Sequence, residues 1–189
     1  MPILTSREKQ LTFAYTVGAL SLIVIVFIIF LITKDYRFKK FDKSGHTFSI
    51  KYPASWTMEE NSQGVSVIFY SPLDTDLDFF QENVNVVERS YPEDPKDIKD
   101  YAEMAVKQMQ AVFKENFILL EMTPTFFATY PAYRISFIGK GPQGELKFLI
   151  LCTRKGETSY QITYAAMTSQ YDKYLDKVNT MISSFKIKQ

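Results

Sequence analysis

The sequence predicts an α+β domain built on an antiparallel sheet of hairpins, preceded by one transmembrane helix. Three observations carry that expectation. Gln10 to Thr33 contains no charged residue, the pattern beyond about residue 44 alternates apolar and polar with period two, and two later segments carry apolar stripes at helical spacing. With 189 residues, 46% hydrophobic and 15% aromatic, the chain has the material for one domain with a sizeable core.

The first element is the apolar run Leu20 to Ile32 within residues 11–33. At about 1.5 Å per residue the uncharged stretch reaches roughly 35 Å as a helix, enough for a hydrocarbon layer of about 30 Å, in which a helix satisfies its own backbone polar groups. A cleavable signal peptide needs a shorter apolar region and a small-x-small site, where this chain has Ile32-Thr33-Lys34-Asp35. The expected organisation is a short tail over 1–10, a transmembrane helix over 11–33, a basic juxtamembrane linker over 34–44 and a folded domain over 45–189. Membrane lipid is therefore the first expected partner, through the N-terminal helix. Arg7 and Lys9 precede the helix, while Lys34, Arg37, Lys39, Lys40 and Lys43 follow it. The positive-inside rule taken alone leaves the domain in the cytoplasm, although large domains after a first helix are translocated despite flanking charge. With Tyr36, Phe38 and Phe41 between its charges, the basic cluster reads as a membrane-surface or partner contact, with Arg37, Lys39 and Lys40 as its candidates.

Six strand-like runs follow. His46, Phe48, Ile50 and Tyr52 share one face up to Pro53, and Trp56 lies in the turn or the next strand. Val65, Val67 and Phe69 form the second run, and Val84 with Val86 the third. Tyr133, Ile135 and Phe137 come next, then Leu146 to Cys152 on alternate positions, then Tyr160, Ile162, Tyr164 and Ala166. Gly64, Pro72, Pro131, the Gly139 to Gly144 segment and Gly156 read as turns between them. One helix is expected after Asp94-Pro95, with Ile98, Tyr101, Ala102, Ala105, Met109, Val112 and Phe113 inward. A second opens near Ser169 to Asp172 and buries Tyr171, Tyr174, Leu175, Val178 and Ile182 before Phe185.

Several functions lose their chemical basis. A net charge of +1 argues against nucleic-acid binding by phosphate neutralisation. The single cysteine, Cys152, allows neither an internal disulfide nor a thiolate cluster, and its phase with Leu146, Phe148 and Ile150 makes it a core residue. The one histidine, His46, opens a strand and reads as structural, so no catalytic residue is assigned and no enzyme or cofactor is expected. The acidic stretch Asp74, Asp76, Asp78 with Glu82 offers the hard oxygen ligands of a metal site. It also reads as a solvated loop, because Phe79 stands where a calcium loop needs glycine. Phe79 and Phe80 within it are either core residues or a partner contact.

In this order, Phe48 to Trp56, Phe69-Tyr-Ser-Pro72, Glu82 to Val86, Tyr130 to Arg134 and the closing Tyr171 to Phe185 helix resemble the PsbP-like superfamily, which includes the DcrB-type and Mog-type proteins. The resemblance covers about Phe48 to Ile187 and implies an α/β/α sandwich around the antiparallel sheet. Photosynthetic members are lumenal subunits supporting calcium and chloride retention in photosystem II, and bacterial members are commonly exported. The resemblance thus implies an extracytoplasmic location, although this chain departs from the photosynthetic members by its apolar anchor. The expected function is a non-enzymatic, membrane-anchored accessory or assembly subunit docking on a larger membrane or envelope complex. An extracytoplasmic ligand- or metal-ion-binding module is the alternative.

Overall fold

The computed structural model describes residues 20–26, 37–62, 64–73, 75, 80–90, 97–142 and 144–188. The chain divides into two compact units, Met1–Arg37 and Phe38–Gln189. Of the first unit, residues 20–26 and Arg37 are described, and 20–26 form helix α1. Most of the expected transmembrane helix over 11–33 lies outside the described residues, and among the described residues no helix is long and apolar enough to cross a membrane.

The second unit is a mixed α+β fold with two antiparallel sheets. The smaller has the order β1-β2-β10, formed by Phe38–Phe41, Phe48–Pro53 and Lys186–Ile187. The larger has the order β3-β4-β5-β9-β8-β7-β6. Its strands are β3 (Thr57–Glu60), β4 (Val67–Tyr70), β5 (Asn83–Ser90), β6 (Phe117–Phe127), β7 (Tyr130–Gly141), β8 (Gly144–Lys155) and β9 (Thr158–Met167). Helix α2 (Ile98–Phe113) packs on one face and α3 (Tyr171–Ser184) on the other, so the sandwich expected from the resemblance gains a second sheet.

Strict alternation divides the apolar residues of the large sheet between two cores. Val67, Phe69, Val84, Val86, Leu149, Ile162 and Tyr164 face α3 and the small sheet, meeting Phe41, Phe48, Ile50, Tyr174, Val178 and Met181. Ile135, Phe137, Ile150 and Cys152 point the other way, onto Tyr101, Ala102 and Ala105 of α2. Burial pushes the Cys152 thiol up to about 12, as its reading as a small core residue implies.

Several elements differ from expectation. Residues 38–41, within the expected linker, are strand β1, and the compact unit begins at Phe38 rather than at 45. Phe41 pairs with Ile50, is 2% exposed and stacks on Phe48 at 5.6 Å, so an aromatic that reads as an interfacial anchor is a core residue. Strand β6 has no alternating pattern because its register slips between Leu119 and Glu121 and because it contains Pro124, which an edge strand tolerates. Pro131 is a strand residue, and the turn before it is Ala128-Thr129, both at positive φ (50° and 74°). That is the two-residue hairpin geometry usually supplied by Asn-Gly, which is why the sequence conceals it. Gly139 is also no turn: a Cβ there would lie 2.7 Å from the Phe113 ring.

The helix caps shift as well. Asp97 caps α2, its carboxylate accepting from Asp100 N–H at 2.9 Å, while the expected Asp94-Pro95 start lies outside the described residues. Gln170, not Ser169, precedes α3 and makes no side-chain cap bond. Val112 is exposed, whereas Met181 is fully buried on the stripe of α3.

Candidate functional site

The described surface offers three features that position chemistry-bearing side chains. The first is the loop between β1 and β2. Burial closes His46 between Phe41 and Phe48, each ring centroid 5.3 Å away, and leaves its side chain 11% exposed. Its Nδ1 lies 3.5 Å from Glu88 and its Nε2 4.0 Å from Glu60. The two carboxylates sit at opposite nitrogens and do not converge on one point. Glu88 also accepts from the Thr47 backbone N–H at 3.1 Å and from its hydroxyl, which lies 2.5 Å from the Tyr160 hydroxyl. Lys43 pairs with Glu60, and Lys188 Nζ donates to Asp42 at 2.7 Å and to the Lys43 carbonyl at 3.0 Å. The Lys188 hydrogen bond, seconded by Lys40, holds the Asp42 carboxyl down to about 2. This polar seam ties the C-terminal strand to the β1–β2 loop, which is a structural task.

The second feature is a groove of about 460 Å³ on the α2 side of the sheet, lined by Ile68, Tyr70, Phe80, Asn83, Asn85 and Thr163, among others. Among the described residues, helix α2 covers β7 and β8 and leaves this part of the face uncovered. Burial, with Glu59 nearby, raises the Tyr70 phenol.

The third is the edge of the large sheet at β6. Ile118 and Leu120 are 55% and 50% exposed, with Leu119 and Val112 exposed beside them in sequence or at the end of α2. Edge strands present unpaired backbone groups along one side, and natural ones are usually blunted by charge or proline. Here Pro124 and the slip after Leu119 blunt the later half, while the apolar residues occupy the earlier half. The sequence reading missed this strip; its only signal is an apolar run following a helix without either period.

The expected site residues fall as follows. Lys39 and Lys40 lie on β1, with Arg37 just before it. Phe80 lines the groove on the opposite face of the large sheet, so the structure does not bring it together with them. Glu82 is 2% exposed and accepts from the Ser71 hydroxyl at 3.1 Å. Asp74, Asp76, Asp78 and Phe79 lie outside the described residues, and among the described residues no group of His, Cys, Asp and Glu is placed to hold a metal ion.

An antiparallel sheet between two helices defines an α+β sandwich domain. The chain belongs to the PsbP family, whose model matches residues 36–187. Among solved structures it is similar to the cyanobacterial PsbP protein CyanoP from Synechocystis, at 16% identity over 79% of this chain and 92% of the other, with a TM-score of 0.61. LpqN of Mycobacterium tuberculosis, described as involved in cell envelope biogenesis, matches at 9% identity over 81% and 92%, with a TM-score of 0.58. The Ran-binding protein Mog1p of Saccharomyces cerevisiae matches at 11% identity over 80% and 95%, with a TM-score of 0.55. No curated protein sequence matches the chain.

Proposed function

We propose that this protein is a membrane-tethered, non-catalytic accessory or assembly subunit whose domain docks on a larger membrane or envelope protein complex on the extracytoplasmic side. The observation that carries the docking is the exposed apolar strip Ile118, Leu119 and Leu120 on the open edge of β6. Membership of the PsbP family fits a non-catalytic role in general. The tether rests on the uncharged stretch Gln10 to Thr33, of which 20–26 are helical and six of those seven side chains are Leu, Ile or Val.

Magnitudes suit a tethered partner. Fully burying a Leu or Ile side chain contributes about 1.5–3 kcal/mol, so completing three half-exposed ones contributes roughly 3 kcal/mol in all. That alone gives a weak complex. Confinement to the same membrane raises the effective concentration to the millimolar range, where a weak patch suffices. Arg37, Lys39 and Lys40 are proposed as lipid or partner contacts separate from that strip, and Phe79 with Phe80 as a second contact.

The test is purification of the full chain from its native membrane in mild detergent, beside an Ile118→Glu/Leu120→Glu variant of equal thermal stability. A stoichiometric partner held by the native chain and lost by the variant is the expected result. A native chain that purifies alone, or a partner the variant retains, would refute docking through this edge.

A further inference from the structure

The net charge of +1 conceals a segregation that only the fold displays. Residues 37–53 and 185–188, which comprise the small sheet and its connections, hold seven Lys or Arg against one Asp, a net of +6 with His46 neutral. The rest of the chain is correspondingly acidic.

Register places three of these lysines on one face. Phe41 and Ile50 are partners and both point into the core, so Lys40 and its partner Lys51 point outward together. Lys186 pairs with Ser49, which shares the outward face with Lys51, so Lys186 stands diagonal to it. The exposed side chains of Lys40, Lys51 and Lys186 form a stripe across all three strands. Like charges directly opposite in a sheet are destabilising. Lys40 is paired with Asp42, which Lys188 also engages, while Lys51 and Lys186 make no ion pair among the described residues.

We propose that the outer face of the small sheet, through Lys40, Lys51 and Lys186, is a docking surface for the anionic headgroups of the bilayer that holds the chain. Charge complementarity selects the occupant: a flat lysine stripe with two unpaired cations matches a planar array of anionic headgroups, which accepts point charges without fixed geometry. The chain also enters β1 from the apolar segment through residues 34–37 alone. The surface sets which side of the domain faces the bilayer and leaves the β6 edge for a protein partner. The inference rests on the tethering part of the proposed function.

The experiment is amine footprinting of the native full-length chain in phosphatidylcholine vesicles with and without phosphatidylglycerol, each lysine read by mass spectrometry. Lys51 and Lys186 should be protected several-fold only with phosphatidylglycerol, and the protection should disappear in high salt, which screens exposed charges. Lys99 and Lys107 on α2, packed on the opposite face of the large sheet, serve as controls and should react alike throughout. Equal rates at Lys51 and Lys186 in both vesicles would overturn the proposal. Protection in native membranes but not in phosphatidylglycerol vesicles would overturn it in favour of an acidic protein partner. An alkaline carbonate wash tests tethering separately: release of the chain would sink the anchor, while the lipid-dependent footprint still decides the stripe.

Discussion

Replacing Gly139 by alanine sets two effects of known sign against each other. Gly139 sits within β7, paired with Phe117 and Leu146 at ordinary strand dihedrals, so the backbone accepts alanine. Removing glycine's freedom from the unfolded chain stabilises by about 0.4–1 kcal/mol. The added Cβ, however, would stand 2.7 Å from two carbons of the Phe113 ring, about 1 Å inside a carbon–carbon contact. That ring is held by Phe137 at 6.0 Å and Phe148 at 5.5 Å, so it has little room to yield. Overpacking of this kind costs roughly 1–3 kcal/mol and outweighs the entropic gain, leaving a net loss of about 1–2 kcal/mol. Trp56, the single tryptophan, is buried in the other core and reports global unfolding by fluorescence during urea titration of the full chain. In a Phe113→Leu background the clash is relieved, and Gly139→Ala should become neutral or stabilising. An equal loss in both backgrounds would refute the ring as the obstacle, because contacting residues must couple in a double-mutant cycle.

Two further outcomes follow from local geometry. Thr129 holds φ at 74°, a β-branched residue in the left-handed region, so Thr129→Gly should stabilise the hairpin by up to about 1 kcal/mol; a destabilised urea midpoint would refute the strain. The Asp42 carboxyl is held at about 2 against an ordinary 3.8, chiefly by Lys188. A depressed native value means a contribution present above about pH 4 and lost as pH falls from 4 towards 2. Carboxyl NMR should place its midpoint near 2, and Lys188→Gln should raise it; an ordinary midpoint in the native chain would refute the pairing.

Much of the architecture was legible because burial on one face writes itself as alternation. The runs around Phe48, Phe69, Val84, Ile135, Ile150 and Ile162 became strands, and the stripes of Tyr101 and Val178 became helices, since each must hide one face. Strand β6 escaped because its edge position and register slip remove the need to alternate, and its hairpin escaped because Ala128-Thr129 adopts a glycine geometry without glycine.

By itself the sequence determined the class of domain, the core placement of Cys152 and the uncharged N-terminal stretch, all of which depend on residues near in the chain or on composition. Only the tertiary structure decided that Phe38–Phe41 is a strand, that Lys40 and Lys51 stand side by side with Lys186 diagonal, and that Ile118 to Leu120 lie on an open edge. The reason is register. Which residues share a face across strands more than a hundred positions apart is set by hydrogen-bond pairing and core packing, and a one-residue slip of any one of these strands would turn its own lysine inward.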